Sequence, residues 1–141
     1  TRMKINLLHR LRICHVVEPS KRLEQFAQPI AIRQTRNMAR SFIFAIVRPP
    51  GHHAHCSAIS GFCFFNNVGV AARVAQKEYN KRKVVIFDWD VHVGDGTANV
   101  FYNDETVLYI SIHRFDMGKF FPGPKGKHEM IGESSGKGYN L

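Results

Sequence analysis

Val84-Val85-Ile86-Phe87-Asp88-Trp89-Asp90-Val91-His92 runs from four apolar residues directly into two carboxylates and an imidazole. A short apolar run bounded by polar residues reads as a strand buried on both faces. Two other stretches share the pattern. Phe42-Ile43-Phe44-Ala45-Ile46-Val47 is stopped by Arg48-Pro49-Pro50-Gly51, where proline prevents extension of a strand, and Val107-Leu108-Tyr109-Ile110-Ser111-Ile112 runs into His113. Between the first two, Asn66 or Asn67 can cap a helix whose apolar stripe is Val68, Ala71, Ala72, Ala75 and Tyr79. Thr97 to Tyr102 allows a short second helix, and Arg114 to Leu141 reads as loop. Strand, helix, strand, short helix, strand predicts an α/β chain: a parallel sheet with helical crossovers.

In such sheets ligands bind at the carboxyl ends of the strands. The polar residues lie there: His52 and His53 after the first run, Asp88 to His92 after the second, His113 after the third. In extended backbone Asp88, Asp90 and His92 point one way while Trp89 and Val91 point into packing. Two carboxylates and an imidazole on one face suit a divalent ion such as zinc or iron. The alternative, one acid capping a helix with the rest solvated, leaves clustered like charges at a buried strand end, which is costly. The adjacent His52 and His53 are poor core material in a glycine-proline turn. They suit metal ligation, a general base and acid pair, or neither, with Asp88 and Asp95 as available carboxylate partners. His55 is the weakest candidate of the three. Gly94-Asp95-Gly96-Thr97 is a tight turn into a helix without the spacing of a phosphate loop. Phe121, in a loop rich in Gly and Pro, suits a pocket wall.

Composition sets the outer limits. The 141 residues are 44% hydrophobic, enough to bury a core and short enough for one domain. No stretch approaches the ~18 apolar residues of a membrane span, and Asn6, His9, Arg10 and Arg12 break any apolar run of a signal peptide. We expect a soluble intracellular protein with Cys14, Cys56 and Cys63 as reduced thiols. The net charge of +9 makes anionic partners plausible. It is not interleaved with aromatics, so neither direct nucleic-acid binding nor a membrane partner is expected.

Arg48-Pro49-Pro50-Gly51-His52-His53-Ala54, Gly61-Phe62-Cys63-Phe64-Phe65-Asn66-Asn67, Asp88-Trp89-Asp90-Val91-His92, Gly94-Asp95-Gly96-Thr97, Leu108-Tyr109-Ile110-Ser111-Ile112-His113-Arg114 and Phe120-Phe121-Pro122-Gly123 resemble, in order and spacing, the zinc-dependent histone deacetylase family. Several of these runs lean toward its class II branch. The resemblance implies a fragment of the arginase/deacetylase-like three-layer fold, with residues 41–141 a partial catalytic domain and residues 1–40 an unassigned N-terminal segment.

The resemblance implies hydrolysis of acetyl-lysine amides with release of acetate. It assigns Asp90 and His92 to zinc, His53 as the better general base of the His52–His53 pair, and Asp88 and Asp95 as the partners of His52 and His53. Asp88, Ser111 and Ile112 would help hold a structural potassium ion. Phe62 and Phe121 would line the acetyl-lysine channel, and the Gly61 carbonyl would accept the amide hydrogen. Acetylated histone tails or other acetyl-lysine proteins would be substrates, corepressor proteins partners, and nucleus or cytoplasm the location, in a role regulating chromatin and transcription. Two departures stand out: Val93 replaces a second histidine, and Asp95 stands where class II members often carry Asn. The family's third metal ligand, an aspartate, and its transition-state tyrosine are expected downstream of Leu141. The competing expectations are an inactive deacetylase-like interaction scaffold and a deacetylase of polyamines or other small amides.

Overall fold

The computed structural model describes residues 44–141. The unassigned segment 1–40 lies outside the described residues. Four elements follow one another: α1 (Asn67–Tyr79), β1 (Val84–Asp88), α2 (Asp95–Val100) and β2 (Val107–Ser111). Single 3-10 turns form at Asp116–Gly118 and Ser134–Gly136.

Helix α1 starts where a side chain can satisfy its free amides. Asn66 Oδ1 accepts from the Gly69 N–H at 2.9 Å, and Asn80, in the left-handed conformation, ends the helix. Ala72 and Ala75 of the expected stripe are buried, and Val74 joins them. Strands β1 and β2 pair in parallel with Val84 opposite Val107 and Asp88 opposite Ser111. Period-2 alternation turns Ile86, Val107 and Tyr109 into the core, where they meet Ala72 and the fully buried Phe101.

The parallel α/β arrangement follows the sequence pattern, with three corrections. Phe44–Val47 form no strand: Ile46 is 94% exposed, and the ladder among the described residues holds β1 and β2 alone. β1 is not buried on both faces, because α1 covers the Ile86 side while Val85 and Phe87 remain exposed. The closing segment is not all loop. Tyr109 N–H donates to the Tyr139 carbonyl at 2.8 Å, Leu141 N–H to Tyr109 at 2.9 Å and Ser111 N–H to Leu141 at 2.8 Å, so residues 139–141 line the free edge of β2 in parallel. Glycines near this segment masked its strand character. Cys63 is a buried free thiol, whereas Cys56 is disulfide-bonded, against the expectation of reduced thiols throughout. No helix among the described residues is long and apolar enough to cross a membrane.

Among the described residues Phe101 is the largest apolar side chain with no exposure. Phe101→Ala should cost about 3–5 kcal/mol through lost transfer energy and the remaining cavity, read as a lower thermal unfolding midpoint.

Candidate active site

The strand register puts the first carboxylate in place. Asp88, last residue of β1, shares the inward face of Ile86, and its Oδ2 accepts from the Tyr109 hydroxyl at 2.8 Å. That hydroxyl accepts in turn from the Gly94 N–H at 3.1 Å. Gly94 is required here, since a Cβ would lie 2.4 Å from the Tyr109 oxygen and 2.7 Å from Asp88 Oδ2. Burial beside a carboxylate pushes the Tyr109 phenol far up, which keeps it a neutral donor.

The starts of both helices clamp the histidine turn. Asn66 Nδ2 donates to the Ala54 carbonyl at 3.2 Å and to Thr97 Oγ1 at 3.0 Å, while Thr97 N–H donates to the His52 carbonyl at 3.0 Å. Gly96 lets α2 approach this closely, because a Cβ would sit 2.4 Å from the Ala54 oxygen. The imidazoles stand side by side, centroids 4.1 Å apart, each on its own acid. His52 Nδ1 meets Asp88 Oδ2 at 2.9 Å and His53 Nδ1 meets Asp95 Oδ1 at 2.7 Å. An ionised carboxylate only accepts, so each Nδ1 carries the proton and each neutral ring keeps a basic Nε2.

Asp95 opens α2 and its side chain is 3% exposed. Burial alone would raise its pKa. Hydrogen bonds from His53, Lys125 and His55 outweigh that and hold it far below the ordinary carboxylate range. Asp88 is likewise lowered against its own burial, by His52, the Asp90 N–H and Tyr109. For His52, burial depresses the imidazole, but the hydrogen bond and charge of Asp88 win and raise it.

Past Asp88 the chain turns instead of continuing extended. Asp90 N–H donates to Asp88 Oδ1 at 3.1 Å and His92 N–H to Asp90 Oδ1 at 2.8 Å, so carboxylate turns replace ladder bonds. Trp89 and Val91 therefore face outward, 71% and 51% exposed, which corrects the expectation that they pack inside. The turn still converges the polar groups. Asp90 Oδ1 lies 3.0 Å from His92 Nδ1 and 4.0 Å from His52 Nε2, and the His53 and His92 rings are 5.9 Å apart.

Carboxylate oxygen and imidazole nitrogen are zinc donors. Bonds of about 2.0–2.1 Å place neighbouring donors about 3.3 Å apart on a tetrahedron, which the Asp90–His92 pair approximates. The pair fits as part of a zinc site. Among the described residues no group of three or more His, Cys, Asp or Glu is arranged to hold a metal ion. Ser111 Oγ lies 2.8 Å from His113 Nδ1, and His113 Nε2 lies 2.9 Å from the Gly126 carbonyl. The carbonyl can only accept, so Nε2 is protonated and Ser111 donates to Nδ1.

Aromatic rings wall the histidines. Phe121 stands edge-on to His53 at 4.9 Å and to His92 at 5.8 Å, and Phe120 stacks on His92 at 4.9 Å beneath the Arg114 guanidinium. Gly61 abuts the His53 ring so closely that a Cβ would lie 2.3 Å from its Cδ2, at a left-handed φ of +50°. Its carbonyl accepts from Cys63 Sγ at 3.4 Å. Phe62 is 88% exposed beside it. Ile112 is exposed at the end of β2, its N–H donating to the Asp88 carbonyl at 3.0 Å.

His52, His53, Asp88, Asp90, His92, Asp95, Gly61 and Phe121 thus meet in one place. Three further contributors were given no role from sequence, Tyr109, Phe120 and Lys125, while His55, the weakest of the three histidine candidates, also meets Asp95. Tyr109 had a signal, since it shares the inward alternation of Val107. Lys125 had none.

The family model for the histone deacetylase domain matches residues 21–141. Human histone deacetylase 7 is 54% identical over 98 residues, 70% of this chain and 10% of that protein. Histone deacetylase HDA1 of Saccharomyces cerevisiae is 52% identical over 99 residues, 68% of this chain and 14% of that protein. The crystal structure of the HDA15 HD domain superposes with a TM-score of 0.65 at 49% identity, covering 67% of this chain and 26% of that one. The chain therefore spans only about a tenth to a seventh of the length of these curated relatives.

The lowered Asp95 carboxyl gives stability a defined pH dependence. Its contribution is complete above the unfolded value of about 3.9 and is lost as pH falls toward the folded value. The unfolding midpoint should fall as pH drops below about 4, and Asp95→Asn should flatten that part of a pH series followed by circular dichroism.

Proposed function

Because the chain belongs to the histone deacetylase family, we propose that it forms part of a class II-like, zinc-dependent lysine deacetylase domain on the arginase-like three-layer fold. The observation that carries this reading is the His53–Asp95 bond of 2.7 Å, with the His53 ring turned toward the Asp90–His92 pair. We assign Asp90 and His92 as zinc donors. Zinc, when bound, supplies Lewis-acid polarisation of the acetyl carbonyl and acidifies water.

The chain's own residues supply the rest. His53, its Nδ1 proton committed to Asp95, offers Nε2 to take a proton from water and later return it to the leaving lysine amine. Asp95 orients the ring and stabilises the imidazolium. His52, its pKa raised by its Asp88 partner, stands beside it as a second imidazole. Phe121 faces the site with an apolar edge suited to a four-methylene stem. Phe62 would complete the channel and the Gly61 carbonyl would receive the amide hydrogen. Asp88, Ser111 and Ile112 are the proposed contributors to a potassium site, Ser111 standing opposite Asp88 in the ladder.

Acetyl-lysine proteins, histone tails among them, are the proposed substrates, with corepressor proteins as partners and nucleus or cytoplasm as the location. Val93 does not weaken the reading. It is 4% exposed and lies against Gly126, so it fills packing space.

The test is the full-length protein with zinc and an acetyl-lysine peptide. Acetate release should appear, disappear on chelation and return with zinc. His53→Ala should lower kcat by roughly 10²-fold or more, the scale of a general base. Undiminished turnover in that variant removes His53 from the mechanism.

A further inference from the structure

Asp95 holds more than the base. Its Oδ1 accepts from His53 at 2.7 Å, while Oδ2 accepts from His55 Nε2 at 2.8 Å and from Lys125 Nζ at 2.6 Å. Lys125 belongs to the loop that carries Phe120 and Phe121, only four residues beyond the ring standing edge-on to His53. One buried carboxylate therefore grips the imidazole from one side and the aromatic loop from the other.

We propose that Lys125 is a positioning residue, whose ion pair with Asp95 fixes the Phe121 wall in register with the His53 imidazole. The role rests on the deacetylase reading above, because the wall matters only if a stem passes along it. The loop has few other restraints. Gly123 N–H donates to the Phe120 carbonyl at 2.8 Å within the loop, and His113 meets the Gly126 carbonyl at 2.9 Å at its far end. Phe120 is held separately, between His92 and Arg114. Phe121 is the member whose position depends on Lys125.

The charge pattern fits this role. Asp95 is 3% exposed, so its negative charge must be met by donors. Three surround it, and loss of Lys125 leaves His53 and His55 in place. The imidazole should then keep its orientation while the loop loses its anchor. A wall that touches the substrate in ground and transition states alike contributes uniform binding, which appears in KM and leaves kcat nearly unchanged.

Lys125→Met and Lys125→Arg, made in the full-length zinc-loaded protein, test the proposal with two readouts. Amide hydrogen exchange across Phe120–Gly126 should quicken roughly tenfold in K125M and stay near the wild-type rate in K125R. KM for an acetyl-lysine peptide should rise roughly tenfold in K125M, with kcat within about threefold, and K125R should restore most of the loss. Unchanged exchange in K125M overturns the tether, as does a K125R variant as impaired as K125M. Faster exchange with unchanged KM, or a loss confined to kcat, overturns the positioning role. A wild-type protein that binds zinc and hydrolyses no acetyl-lysine peptide overturns the deacetylase reading and the positioning role with it, while exchange still decides the tether alone.

Discussion

A buried carboxylate with three donors is the constraint around which the described structure is organised. Asp95 cannot stay ionised at 3% exposure unless polar hydrogens converge on it, and they come from distant stretches of chain. His53 and His55 arrive from the turn before α1, Lys125 from the loop after β2. The start of α2 places the acid at the centre. Each element's position is thus coupled to the charge of one side chain. Lys125 is half-exposed, so the solvent screens its contribution. The two imidazoles and burial set the geometry more firmly.

Asp88 repeats the arrangement with a different economy. Its donors are one histidine, one tyrosine and the next turn's backbone, and two of them depend on the sheet. Parallel pairing brings Tyr109 beside Ile86 and thereby sets its hydroxyl on Asp88 and the Gly94 amide. A slip of one residue in that register would turn Tyr109 out of the core and leave the acid and the Gly94 N–H without their shared partner. Core packing and site geometry are therefore held by the same alternation.

Much of this was legible in sequence, for identifiable reasons. Apolar runs with clear boundaries gave β1, β2 and α1, and polar residues at strand ends located the site. Phe44–Val47 misled because an apolar run signals burial without naming its partner, and none of the described strands pairs with it. Asp88-Trp89-Asp90-Val91-His92 converged as expected but by a different route. Aspartate side chains captured the backbone amides two residues on, so alternation gave way to turns and Trp89 emerged outside. Residues 139–141 pair through backbone alone, which side-chain patterns do not reveal. Lys125 was invisible for a further reason, and His55 ranked lowest for the same one: a histidine or lysine in a polar loop looks like solvated surface until a buried acid is found beneath it.

The identity of residue 95 then acquires a physical reason. An asparagine offers one acceptor oxygen and a donor amide, which suffices for an imidazole alone. Here the second oxygen faces His55 Nε2 and the Lys125 ammonium, and an amide NH2 turned toward them would set donor against donor. Only a carboxylate accepts on both sides. His55 and Lys125 are the counterparts of this aspartate in space. The three form a matched set, in which exchanging the acid alone would leave an ammonium and an imidazole competing for a partner that no longer accepts. That mutual dependence, more than the His53 contact by itself, ties the base, the histidine turn and the aromatic loop into one unit.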